Sequence, residues 1–427
     1  MNRIKYKYIN PRLAVSHRLR AFFLCIFILL SVFYASAQMT RTYRVVMRSN
    51  VGMDTMWDGA SFRIYGMAPA LSADVSLPSP ILYANEGDTL VLNALSISQN
   101  EHHTVHMHGM DEDTRNDGDP ATSFYLVHNQ DTTYTAVCTH AGTYLYHCHV
   151  ADVIHVQMGM YGMIVVKAAN GASTAWTNGP YIHHDYKWLT SEIDRHWHDS
   201  IPYHDLIVDT VHIPPYHPGY FLVNGKAQQE IAADDSIRIH GMVSEPIYVR
   251  LANIGFYSNR VIFRHSLHAK VIDSDGRPLP SEISSDTVEV MPGERYGVLL
   301  QPLYEDSGFV EVQYVNMNTA LSEHSEFVPV TISGVWNGIH TIGTSENIRL
   351  FPNPTREMGW NLAFDDGVPK NASYAIYDVS GRVLNERKIT SAEEHIETHS
   401  LPAGVYILKI QTDSGITTRK LMRLDNE

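Results

Sequence analysis

Tyr146-His147-Cys148-His149, followed by His155 and by Met158-Gly159-Met160-Tyr161-Gly162, spaces its metal-capable side chains in a way that suits an extended chain. In a β-strand the side chains at i and i+2 share a face. His147 and His149 therefore project together, and Cys148 projects the other way. Upstream, His103-Thr104-Val105-His106-Met107-His108-Gly109 repeats the arrangement, with His106 and His108 on one face and His103 of opposite parity. If these strands are neighbours, His106, His108, His147 and His149 converge outside a sheet. His103, Cys148, His155 and Met160 then gather on its inner side, so the spacing predicts two sites back to back.

The inner set joins two imidazoles, a thiolate and a weak thioether, which is the ligand set of a blue-copper electron-transfer centre. The outer set is all imidazole and suits copper that binds oxygen or another small acceptor. Cys148 is bonded to both His147 and His149, giving a short covalent route between the sets. Zinc also takes Cys and His, but Met160 and the separated faces favour copper. Of three cysteines, Cys25 falls in the N-terminal leader, leaving Cys138 and Cys148. Both flank Thr139–Gly142. A hairpin there puts Cys148 opposite Thr133 and away from Cys138, which argues against a disulfide.

Working outward, short alternating runs recur at Thr42–Met47, Thr89–Leu95, Thr133–Val137, Ser236–His240 and Tyr248–Leu251, punctuated by Gly, Pro, Asn and Asp. That is the pattern of an all-β chain built from sandwiches. Residues 38–170 form a first domain, closed by the strand Gly162-Met163-Ile164-Val165-Val166, and 175–337 a second. A linker at 338–347 leads to a third module at 348–427.

Residues 1–37 read as a signal peptide, with Arg3, Lys5, Lys7, Arg12, Arg18 and Arg20, then the apolar run Ala21–Tyr34, then Ala35-Ser36-Ala37. Its loss leaves 26 Lys+Arg of 32 against 46 Asp+Glu, so the net charge moves from −14 to −20. A chain that acidic repels nucleic acid.

The motifs His103-x-x-His106-x-His108-Gly109 and His147-Cys148-His149 with His155 and Met160 resemble the copper signatures of multicopper oxidases. The resemblance implies two cupredoxin-like Greek-key sandwiches. It also implies type 1 copper on His103, Cys148, His155 and Met160, type 2 copper on His106, and type 3 copper on His108, His147 and His149. Asp111, in the loop after Gly109, becomes a candidate acid for proton delivery. The Cys148–His155 interval is two residues longer than in the common laccase pattern, a length that copper nitrite reductases tolerate.

Phe351-Pro352-Asn353-Pro354, Tyr377-Asp378-Val379-Ser380-Gly381-Arg382 and Leu401-Pro402-Ala403-Gly404-Val405-Tyr406 resemble the type IX secretion C-terminal sorting domain, a small β-sandwich. That implies delivery to the cell surface or beyond by the type IX secretion machinery.

In the resembled family a second domain supplies further imidazoles, and here they are largely missing. Arg260-Val261-Ile262-Phe263-Arg264-His265 leaves His265 with His268 nearby, and Gln313–Asn318 holds none. His196-Trp197-His198 stands in what reads as a loop. Three readings stay open. One is an oxidase that takes electrons from a small reducing substrate or redox protein and gives them to oxygen, its outer site completed in a homotrimer. The others are a nitrite-reductase-like enzyme, and a non-enzymatic electron carrier or copper-binding protein.

Overall fold

Thr89-Leu90-Val91-Leu92-Asn93-Ala94-Leu95-Ser96 alternates half-buried and buried residues along its whole length, so one face has a core to cover. In the computed structural model, which describes residues 38–424 apart from 100, 202–212, 337–347, 357–358, 365–366, 369–371, 399–400 and 413–414, it is the fourth of eight strands in a first sandwich. The expected signal peptide lies outside the described residues, as does the expected linker at 338–347.

The eight strands are β1 (Thr40–Thr55), β2 (Ser61–Ala68), β3 (Leu82–Asn85), β4 (Thr89–Ser96), β5 (His106–His108), β6 (Asp131–Val137), β7 (Gly142–His147) and β8 (Tyr161–Lys167). They form two four-stranded sheets in the orders β2-β1-β4-β6 and β3-β8-β7-β5. Leu90, Leu92, Tyr134, Tyr146, Cys148 and Ile164 share the core between them.

The second sandwich contains β9 (His184–Ile193), β10 (Tyr220–Val223), β11 (Ile239–Val243), β12 (Ile247–Asn253), β13 (Ser258–Ile262), β14 (Lys270–Ser274), β15 (Arg277–Ser284), β16 (Thr287–Val290), β17 (Arg295–Leu300), β18 (Asp306–Asn316) and β19 (Leu321–Val335). A six-stranded sheet, β10-β9-β12-β17-β14-β15, faces a five-stranded one, β11-β19-β18-β13-β16. Trp188, Val249, Val261, Val312 and Val328 fill the space between them. A three-stranded and a four-stranded sheet follow from Ile348 to Arg423, around Trp360, Ile376 and Leu408. The all-β expectation holds.

All six residues of β7 are buried, which is unusual for an antiparallel strand with one face on its own core. Tyr144 and Tyr146 point into the first sandwich. Leu145 points the other way and packs with Met163, Leu189, Ala252 and Ile254 at the junction of the two sandwiches. Second-sandwich residues thus cover the outer face of β7.

One expectation is corrected here. The chain between β6 and β7 does not close a hairpin, because β6 pairs with β4 while β7 pairs with β5 and β8. The turn carries the chain from one sheet to the other. Cys138 and Cys148 are nonetheless both free and buried. Burial pushes the Cys138 thiol up to about 12, which leaves it unreactive.

Glu192, on β9, is buried at the same junction. Its carboxylate accepts the backbone N–H groups of Phe256 (2.8 Å) and Tyr257 (3.2 Å). Burial outweighs these bonds and pushes the group up to about 7. A folded-state value above the unfolded one means that its stabilising effect is complete below the ordinary carboxylate range and is lost as pH rises through 7. Replacing it by the neutral Glu192→Gln should remove that loss, roughly 3 kcal/mol between pH 5 and pH 8 at 1.36 kcal/mol per unit. Unfolding of the metal-free chain at the two pH values tests this; a pH-independent difference between variant and wild type would refute it.

Candidate metal centre

β5 and β7 are hydrogen-bonded neighbours in the register His106↔His147, Met107↔Tyr146, His108↔Leu145. The pairing puts His106, His108 and His147 on the face turned towards the second sandwich and sends Met107 and Tyr146 into the first core. Ligand atoms of these three histidines lie within 4.8 Å of one another. His149 joins at the edge, its ring 5.1 Å from that of His106 and 5.7 Å from that of His147.

Backbone carbonyls orient two of these rings. His106 Nδ1 lies 2.6 Å from the Asp117 oxygen, and His147 Nδ1 lies 3.0 Å from the Cys148 oxygen. Each Nδ1 therefore carries the proton, and each Nε2 keeps its lone pair for the group. Burial, followed by the charge of Arg295, lowers His108 to about 4; burial lowers His147 to about 3. His106 is lowered too, by burial above all. These rings stay neutral at physiological pH, as metal ligation requires.

On the inner side Cys148 Sγ lies 3.2 Å from His155 Nδ1 and 3.7 Å from His103 Nδ1, with all three residues buried. Met160 is buried in the same core, and its backbone oxygen accepts the Cys148 N–H at 3.1 Å. His155 reaches this position on a short helix, α1 (Asp152–Gln157), entered through Ala151 at φ +44°. The longer Cys148–His155 interval thus accommodates a helical turn. It leaves His155 only 1% exposed.

Glu101 is a residue that the sequence reading missed. It is 2% exposed, and its Oε2 lies 3.4 Å from His155 Nε2 and 3.8 Å from His103 Nε2, while its Oε1 accepts the Tyr65 hydroxyl at 3.1 Å. One carboxylate thus backs both inner imidazoles. Parity offered a signal, because Glu101 stands two residues before His103. Burial alone would lower His155, but Cys148 and Glu101 outweigh it and raise the ring to about 9. His103 moves well below its ordinary value through burial and then through His155. Cys148 and Glu101 thus favour positive charge at His155, the place where a bound cation would sit. Two imidazoles, a thiol and a thioether fit copper by their softness.

The remaining candidates are placed elsewhere. Asp111 is half-exposed; it accepts two bonds from Arg277 (2.8 and 2.6 Å) and the Thr139 hydroxyl at 2.7 Å. The Thr139 bond and the Arg277 charge hold the carboxyl below its usual range, so it stays ionised and ties the two sandwiches together. His196 and His198 lie on a short helix, α2 (Arg195–Ser200), and not on a loop. His198 is buried with its ring nitrogens 2.6 Å from the Arg63 oxygen and 3.0 Å from the Gln157 oxygen. Exposed His265 pairs with Asp286 at 3.0 Å. From the second sandwich, Gly293 stands beside His108, and the charges of Arg295 and Asp275 act on it.

The family model described as multicopper oxidase matches residues 60–171, the span that holds every proposed first-sandwich ligand. Over this span the chain is similar to a multicopper oxidase domain. The model of the secretion system C-terminal sorting domain matches residues 349–423, which indicates export by type IX secretion to the cell surface or outside.

Copper resistance protein A of Escherichia coli is 38% identical over 93 residues, which is 22% of this chain and 15% of that protein. L-ascorbate oxidase of Cucumis sativus is 25% identical over 247 residues, covering 52% of this chain and 40% of that one. Copper-containing nitrite reductase of Neisseria meningitidis serogroup B is 30% identical over 130 residues, covering 30% and 31%. The chain thus matches less than half of each relative's length. The blue copper oxidase from Nitrosomonas europaea superposes with a TM-score of 0.54 at 23% identity, over 69% of this chain and 86% of that one, which speaks for a shared fold.

Proposed function

We propose that the protein is an exported copper-dependent oxidoreductase, with His103, Cys148, His155 and Met160 holding one copper and His106, His108, His147 and His149 holding the acceptor-binding site. When bound, copper would supply one-electron redox chemistry at the inner set and a place to reduce a small acceptor at the outer set. The observation that carries the reading is the position of Cys148. Its thiol belongs to the inner trio, while its backbone is bonded to His147 and its carbonyl orients that ring. The protein's own residues exclude water from the inner set, keep His106, His108 and His147 neutral and connect the two sets covalently.

Oxygen is the acceptor proposed from the multicopper oxidase match, with a small reducing substrate or a redox protein as donor. A smaller outer site of the nitrite-reductase kind is the second reading. It is favoured by a glycine and an arginine, Gly293 and Arg295, rather than imidazoles, standing by His108, and by the helical turn in the Cys148–His155 interval. Completion by a neighbouring subunit in a homotrimer would give the outer set its missing ligands. Copper content with visible and paramagnetic-resonance spectra tests the proposal. His106→Ala is expected to keep the blue band while reduction of oxygen or nitrite is lost; retention of both activities would overturn the assignment.

Glu101 places negative charge behind both inner imidazoles, which favours the more oxidised metal. Glu101→Gln is therefore expected to raise the reduction potential while the visible band persists, as followed by a redox titration of that band. An unchanged or lowered potential would show that the carboxylate does not act on the inner set.

A further inference from the structure

His183, His184 and Glu245 form a third group whose ligand atoms lie within 4.8 Å of one another. It lies in the second sandwich, outside the matched multicopper oxidase span. Consecutive strand residues point to opposite faces, but His183 precedes β9 and only His184 belongs to it. Both rings can therefore turn to one side, with centroids 4.8 Å apart.

Glu245 occupies the turn between β11 and β12 and is 1% exposed. Its Oε2 accepts the Met242 N–H at 2.7 Å. That bond fixes the carboxylate so that Oε1 faces both imidazoles, hydrogen-bonded to His183 Nδ1 and 3.2 Å from His184 Nε2. The His183 N–H donates to the Pro246 oxygen at 2.8 Å, and β9 pairs with β12 in the register His184↔Ile247. The backbone thus holds the three residues together before any ligand arrives.

We propose that this group is a second-domain site for a zinc-class divalent cation. A single histidine would suffice for an ion pair with Glu245, whereas two rings aimed at one anchored oxygen match a two-imidazole, one-carboxylate ligand set. The carboxylate's bond to Met242 supplies the outer support that such ligands have. The imidazole side chains are 43% and 42% exposed, which leaves the remaining coordination position open to water. A bound ion braces the start of β9 against the β11–β12 turn. His183 also packs on Trp336, just past β19, with ring centroids 5.6 Å apart, so the brace extends to the end of the second sandwich.

The test is a titration of the full chain with zinc sulfate, counting bound zinc after equilibrium dialysis. Wild type is expected to retain one equivalent more than His184→Ala and one more than Glu245→Gln. The difference does not depend on how many ions the first sandwich holds, so it stands or falls apart from the copper assignment. The visible band of each copper-loaded variant, which reports the first sandwich, and its circular dichroism verify folding. Equal zinc content in wild type and both folded variants would overturn the proposal, and so would the loss of zinc from only one of them.

Discussion

Cys148→Ser is expected to abolish the blue absorption of the copper-loaded chain and to remove one copper, while the imidazole-only set keeps its own. The substitution replaces the one soft anionic donor facing His155 Nδ1 at 3.2 Å and His103 Nδ1 at 3.7 Å with a hydroxyl that stays protonated. Thiolate softness is what makes such a site prefer copper, so the loss is expected to be complete and not graded. The variant also buries an extra hydroxyl among Tyr134, Met158 and Ile164, a cost of about 1–3 kcal/mol that a folded chain can absorb. Cys138→Ser is the matched control: it changes another buried thiol of the same core and should leave the spectrum as it was. Copper analysis with visible and paramagnetic-resonance spectra decides the matter. A Cys148→Ser chain that keeps its colour and copper would remove the inner site from consideration.

Side-chain parity made the division of the candidate residues legible. The i, i+2 rule separated His106, His108 and His147 from His103 and Cys148, and the β5–β7 register realises that separation. Alternation likewise marked β4 and β6. It did not show which sheet a strand enters. Thr139–Gly142 announces a reversal, but the reversal joins two sheets, a distinction that depends on pairing with distant β4 and β8. Helix α1 was hidden for another reason: its six residues are too few for a 3.6-residue period to emerge. Helix α2 did carry a sign, since Asp194 is an N-cap residue whose side chain accepts the His196 N–H at 2.8 Å. The link between Asp111 and Arg277 joins residues too far apart in sequence for any local pattern to reveal.

Arg250 is a residue through which the second sandwich acts on the first. It lies on β12, is 1% exposed, and donates from Nε to Asp185 at 2.8 Å and from Nη1 to the Thr143 hydroxyl of β7 at 3.2 Å. Its guanidinium also covers the Tyr248 ring, 4.7 Å from the centroid. Burial opposes the charge, but Asp185 and Tyr248 outweigh it and raise the pKa, so the group is ionised in the folded state. Arg250→Ala leaves Asp185 with the Lys187 ammonium at 3.6 Å in place of the guanidinium, and a void behind β7. Breaking a buried pair on one side costs about 3–5 kcal/mol, a large fraction of a domain's stability. Replacing both members by Arg250→Met and Asp185→Leu should recover part of that loss, because the buried carboxylate no longer lacks its guanidinium and the volume is refilled. β7 carries His147, and Arg295 also reaches the Thr143 carbonyl, at 3.3 Å. The single variant is therefore expected to weaken metal binding at the outer histidines more than at the inner set, which the first core encloses. Thermal unfolding of the three chains, with copper content read from both sites, separates the outcomes. If Arg250→Ala unfolds like wild type, or loses inner and outer copper equally, then β7 is not held in place from the second sandwich.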